Sequence, residues 1–242
     1  MFCYHGEVID YTYYRSHKNT NDCVLFLHGW GGNKHSFDAS INILKATQNV
    51  LAITLPTISP TNQIWDMFDF ANCVYCLIKN LNIASIKIVC HSFGFRVVTI
   101  LNLIAKNDKN FNIKKMVATG GAGLKKFNLF KKIDKNNTIC LLKHKKNEFL
   151  LEKIKKLDYF GLSHTNKQTF KNVVNLNTKN MINFSFPILL FWGKFDKETP
   201  IWIAHEIIKK NKHQTRIYVA NSDHFAYLKQ NAIFNNFLVN FL

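Results

Sequence analysis

Ser92, Asp196 and His224 are the residues whose types and order could do chemistry together. A serine hydroxyl is a poor nucleophile until a base takes its proton during attack. Histidine can be that base, and a carboxylate can hold the imidazole in the right tautomer and stabilise its charged form. Ser92 stands in Val89-Cys90-His91-Ser92-Phe93-Gly94, after an apolar β-like run and before an apolar helical run. A serine on such a turn has its hydroxyl thrust out of the sheet, with a helix N-terminus aimed at whatever it attacks. The turn closes only if the residues two places before and after are small, and here they are Cys90 and Gly94. Asp196 ends Trp192-Gly193-Lys194-Phe195-Asp196, and His224 lies in Asn221-Ser222-Asp223-His224-Phe225. Asp223 is the rival acid, but adjacent residues rarely turn their side chains toward each other in the geometry required.

Attack on a carbonyl puts negative charge on its oxygen, and two backbone N–H groups must meet it. One is expected from Phe93, next to the nucleophile. The other is expected from Trp30, in His28-Gly29-Trp30-Gly31-Gly32, where three glycines permit an unusual backbone path. Trp30, Phe160 and Phe225 are the candidates for an apolar substrate pocket, though each could equally serve the core.

These fragments need a frame that brings them to one place. Apolar β-rich runs alternate with helical patterns along the chain. Strands are expected at 8–14, 24–28, 50–55, 86–90, 115–119, 188–192 and 216–219, the first of them as an edge strand. Helices are expected at 34–44, 64–80, 93–106, 200–210 and 232–242, with Pro200 in a first turn. Strands separated by helices imply a mostly parallel central sheet flanked by helices, whose ligands sit at the carboxyl ends of the strands. All the fragments above lie at such ends. Regularity breaks from 124 to 182, too long a stretch for a plain loop, and a small helical lid is the expected reading. The rest reads as one domain over 1–242, with no repeat or linker-like tract.

The net charge is +17, from 32 basic and 15 acidic residues. From Leu124 to Asp158 there are eleven lysines against two Asp and two Glu. Abundant Lys, Asn, Ile and Phe with scarce Arg, Ala and Gly is also what an AT-rich genome produces. Two readings of the charge therefore stand: a solvated outer face, or a dock for an anionic membrane or acidic protein. Nucleic acid is not an expected partner, since the chain has only Arg15, Arg96 and Arg216 and no nucleic-acid-binding motif. Cys73-x-x-Cys76 lies inside a helical run with no second pair and no matched His, so it reads as packing rather than as a metal or redox pair. No metal and no cofactor is expected. Six cysteines in 242 residues do not make a disulfide framework. With no signal-peptide pattern and no membrane-spanning run, the expected location is the cytoplasm.

Taken together, His28-Gly29-Trp30-Gly31-Gly32, His91-Ser92-Phe93-Gly94, Phe191 to Asp196, Thr199-Pro200 and His224-Phe225 resemble the α/β-hydrolase superfamily of esterases, lipases and peptidases. The resemblance runs from about Val8 to Leu242. It implies the α/β-hydrolase fold, a triad of Ser92, Asp196 and His224, and oxyanion positions at Trp30 and Phe93. It also implies hydrolysis of a small acyl ester, free, lipid-borne or carrier-bound, as in carboxylesterases with a short lid. A thioesterase, lysophospholipase, peptidase or carbon–carbon bond hydrolase could use the same scaffold, as could a ligand receptor with little turnover. Lid carboxylates that would hold a peptide amine are few, with Glu148, Glu152 and Asp158 the candidates. The departures are Cys90, where the first elbow residue is usually glycine, and Asp223, where a small residue usually precedes the histidine. Neither removes an atom that the chemistry uses, and Asp223 would raise the basicity of His224.

Overall fold

In a computed structural model, residues 1–17, 22–125 and 161–242 are described. Eight strands form one sheet: β1 (Phe2–Tyr4), β2 (Glu7–Tyr14), β3 (Asp22–Leu27), β4 (Asn49–Thr54), β5 (Ser85–His91), β6 (Asn112–Thr119), β7 (Ile188–Gly193) and β8 (Thr215–Ala220). Their spatial order is β1-β2-β4-β3-β5-β6-β7-β8. The five pairs from β4 to β8 are parallel, while β1 and β2 join antiparallel at one margin. β3, β5 and β7 are buried almost throughout, which is why they read as continuous apolar runs rather than alternating ones.

Among the described residues the helices are α1 (Asp38–Leu44), α2 (Met67–Asn80), α3 (Phe93–Ala105), α4 (His164–Asn175), α5 (Trp202–Lys210), α6 (Ala226–Lys229) and α7 (Asn231–Phe241). α1 and α7 cover one face of the sheet, with Ile41, Phe234 and Leu238 in that core layer. The other layer takes Phe70, Val97 and Ile203 from α2, α3 and α5.

Two expectations need correction. The run 8–14 is not the edge strand, because β1 pairs outside it. Its alternation reports that one face is covered and the other wet, which is a statement about faces and not about edges. The tight turn into β2 has His5 at φ +52° and Gly6 at φ +77°, the backbone signature of a two-residue hairpin. The helix expected from 34 begins only at Asp38. Before it, Asn33 Oδ1 accepts from His35 N–H and Ser36 Oγ accepts from Asn33 N–H, so local side-chain bonds hold the backbone in a turn.

Of the stretch 124–182 expected as a lid, residues 126–160 lie outside the described residues, as do Phe160, Cys140 and most of the lysine-rich run. The part described holds α4, capped by Ser163 Oγ accepting from Asn166 N–H, and a 3₁₀ turn at Lys179–Met181.

The start of α3 packs directly on the end of β3. A Cβ added to Gly94 would lie 2.5 Å from the Leu27 carbonyl oxygen. Main chain cannot move aside as a side chain does, so Gly94→Ala should lower stability by about 3 kcal/mol. A denaturant midpoint equal to that of the wild-type protein would contradict so close a contact.

Candidate active site

Five loops meet at the carboxyl end of the sheet, following β3, β5, β6, β7 and β8. Ser92 occupies the turn between β5 and α3 with φ +48° and ψ −106°. A positive φ on a serine is strained and persists only where the surroundings enforce it. Here Ser92 N–H donates to Thr119 O at 3.0 Å, while Ser92 O accepts from Phe95 N–H at 3.1 Å and Ala122 N–H at 3.0 Å. Ser92 is the N-cap of α3, yet its hydroxyl makes no capping bond. An N-cap serine ordinarily spends that oxygen on its own helix, and this backbone turns it away instead. Cys90 is accommodated as a fully buried residue of the core, where burial pushes its thiol pKa up and leaves it inert.

Asp196 and His224 are in direct contact. His224 Nδ1–H donates to Asp196 Oδ2 at 2.8 Å. The acid's side chain is fully buried and the imidazole is 11% exposed. Asp196 Oδ1 accepts from Glu198 N–H at 2.9 Å and Thr199 N–H at 2.8 Å. Thr199 Oγ1 lies 2.7 Å from Asp196 Oδ2 and 2.9 Å from Gly120 O, with one proton to give. Burial alone would push the Asp196 carboxyl up. The bond to His224 and those to Thr199 outweigh it, so the group is held below the usual carboxylate range.

Asp223 takes no part in this contact. Its carboxylate accepts from Lys229 Nζ at 2.5 Å and from Phe225 N–H at 3.1 Å, not from the His224 ring.

Ser92 and His224 meet the same strand end. Ser92 N–H holds Thr119, and the His224 ring lies over the next residue, Gly120. A Cβ there would come within 2.9 Å of His224 Nδ1, and Gly120 sits at φ +54°. The His91 ring, next to Ser92 in the chain, lies 4.6 Å from that of His224. No side-chain hydrogen bond joins Ser92 Oγ to His224 among the described residues. With Nδ1 committed to Asp196, Nε2 is the ring nitrogen left for proton transfer.

The rings of Trp30 and Phe93 are in contact, edge to face with centroids 5.3 Å apart. Neither backbone N–H donates to another group among the described residues. The orientation of the Trp30 amide is nonetheless set. His28 Nε2 accepts from Leu55 N–H at 2.9 Å, which fixes Nδ1 as the protonated nitrogen, and Nδ1–H donates to Gly29 O at 2.6 Å. Gly32 N–H donates to the same carbonyl at 3.0 Å. In a trans peptide the N–H points opposite to the C=O, so tying down Gly29 O directs Trp30 N–H the other way. Trp30 also packs on Phe170 of α4 at 5.0 Å. Phe225 is half-exposed, its ring 5.4 Å from that of His91.

His28 and His91 were legible only as neighbours of the glycines and the serine. Burial drives the His28 pKa down to about 4 despite its bond to Gly29 O. Burial and then the nearby His224 drive that of His91 down to about 3, against the pull of the Thr119 carbonyl. Both stay neutral in the folded chain where an unfolded histidine, with a pKa near 6.5, would take a proton. Stability is therefore whole above about pH 6.5 and falls as pH drops toward 4, by up to about 2.7 kcal/mol per unit for the two sites. Denaturant midpoints measured between pH 7 and pH 4 check this, and a flat profile would contradict two neutral buried imidazoles.

No protein-family model matches the sequence, and no curated protein does. Solved structures do match it in shape. An esterase from Exiguobacterium antarcticum superposes with a TM-score of 0.72 at 18% identity, over 96% of this chain and 94% of that one. A hydrolase from Pseudomonas aeruginosa gives 0.71 at 15%, over 96% and 93%. The chain has the α/β-hydrolase fold. An N-acyl homoserine lactone degrading enzyme matches at 0.72 and 17%, over 98% of both chains. Among the described residues no helix is long and apolar enough to cross a membrane, and no group of three or more His, Cys, Asp or Glu could hold a metal ion.

Proposed function

We propose that the protein is a serine hydrolase that cleaves small carboxylic esters through an acyl-enzyme on Ser92. The observation that carries this reading is the 2.8 Å contact of His224 with buried Asp196, lodged over the same strand end that holds Ser92 in its strained turn. His224 Nε2 takes the Ser92 proton as Oγ attacks the ester carbonyl, and Asp196 stabilises the imidazolium. Trp30 N–H and Phe93 N–H receive the oxyanion, each such donor being worth about 3–4 kcal/mol of barrier. The tetrahedral adduct collapses as His224 hands its proton to the leaving alcohol. Water then attacks the acyl-enzyme by the same route, giving the carboxylic acid and free Ser92.

The named activities of the structural neighbours support an ester substrate, and a lactone is a cyclic ester. Trp30, Phe93 and Phe225 would supply the apolar wall for the acyl group. The basic run from Leu124 to Asp158 suits an anionic lipid or acidic carrier as the group bearing it. Free thiols at Cys3, Cys23, Cys73, Cys76 and Cys90 support a reducing, cytoplasmic setting.

A panel of p-nitrophenyl esters, one lactone and one acyl thioester tests the reading. Steady turnover of at least one oxygen ester is expected, faster than that of the thioester. A single slow release per molecule would instead mark a ligand receptor, and a thioester preference would move the substrate class.

A further inference from the structure

We propose that Asn166 of α4 is a positioning residue that sets the oxyanion site from outside it, through Thr57 and Gly31. The inference rests on the hydrolase reading for its kinetic consequence, but not for its geometry.

Asn166 is fully buried, unusual for a carboxamide. Its bonds explain why. Nδ2 donates to Thr57 O at 3.3 Å and to Ser59 O at 2.8 Å. Oδ1 accepts from Ser163 Oγ at 2.7 Å and from Thr61 N–H at 3.3 Å. Two carbonyls on one side and donors on the other leave a single orientation of the amide. One side chain thus clasps the segment after β4 at three residues, and no other residue type offers both functions at that length.

That segment supports the loop carrying Trp30 in two ways. Leu55 N–H fixes the His28 ring, which ties down Gly29 O. Thr57 Oγ1 accepts from Gly31 N–H at 3.1 Å. The peptide before Trp30 N–H and the peptide after its carbonyl carbon are therefore both anchored to 55–57. Asn166 anchors 57–61 in turn. Thr169 Oγ1, one turn further along α4, accepts from Trp65 N–H at 2.9 Å and secures the far end of the same loop. An oxyanion donor acts through its position, and small displacements of such groups carry large rate penalties.

Four variants test the inference: Asn166→Ala, Thr57→Val, Thr57→Ser and the double Asn166→Ala with Thr57→Val. Each of Asn166→Ala and Thr57→Val should lower kcat on p-nitrophenyl acetate about tenfold or more, with KM little changed. Thr57→Ser keeps the hydroxyl and should restore wild-type kcat. The double variant should be no slower than the slower single one, because both break one chain of contacts. Amide hydrogen exchange of Gly31 and Gly32, whose N–H groups are bonded to Thr57 Oγ1 and Gly29 O, should quicken in both single variants while β5 stays protected. Should Asn166→Ala fail to fold, Asn166→Asp keeps the acceptor Oδ1 but sets a carboxylate oxygen against the Thr57 and Ser59 carbonyls, and it carries the same expectations. Multiplied losses in the double variant, or unchanged exchange at Gly31 and Gly32, would overturn the proposal. A wild-type protein without ester turnover would defeat the hydrolase reading alone, and the exchange result would still decide the clasp.

Discussion

Ser92→Ala should abolish steady ester turnover, with kcat falling at least about 10³-fold, and leave the fold in place. The size follows from chemistry: without the hydroxyl no acyl-enzyme forms, and what remains is whatever the oxyanion donors do for water attack. The intact fold follows from geometry. The Ser92 hydroxyl caps no helix, and its backbone partners at Thr119, Phe95 and Ala122 do not depend on the side chain. Ala at φ +48° is no more strained than Ser, so thermal stability should change by less than about 1 kcal/mol. Full turnover in this variant would mean that the nucleophile lies elsewhere.

Asp196→Asn should cost about 10⁴-fold in kcat while leaving most ester binding intact. Four groups converge on this carboxylate, and the two backbone N–H groups and His224 Nδ1–H can only donate to it. A carboxamide can satisfy Glu198 and Thr199 through its oxygen, which turns its NH₂ toward His224. Nδ1 must then accept, the ring proton moves to Nε2, and Nε2 can no longer take a proton from Ser92. The loss should appear in kcat at every pH where the wild-type protein works, rather than as a shifted profile. A variant slowed less than about tenfold would assign the acid's role to another group, and Asp223, paired with Lys229, is the one to replace next.

β3, β5 and β7 were legible because burial on both faces leaves uninterrupted apolar runs, and the loops after them because glycine and polar residues end those runs abruptly. Ser92 and Asp196 stood out for the same reason, each just past such a run, while His224 follows the edge strand β8. β1 was not legible: three residues have no period to detect. Asn33 and Ser36 delayed α1 through side-chain bonds that hydrophobic spacing does not report. The supporting residues were hardest. Thr199 was visible as part of a motif but not as a partner of Asp196, and the two meet through a turn only three residues long. His28 and Asn166 act through backbone carbonyls, and a carbonyl is the same at every position of a sequence. Long-range contacts of that kind, such as Asn166 to Thr57, leave no mark on local pattern.

Peptide mapping after exposure to a fluorophosphonate probe tests the central claim most directly. One adduct per chain is expected, on the Ser92 hydroxyl, absent from Ser92→Ala and much slowed in Asp196→Asn. An adduct on another residue, or continuing ester turnover in a protein whose Ser92 stays unmodified, would contradict it.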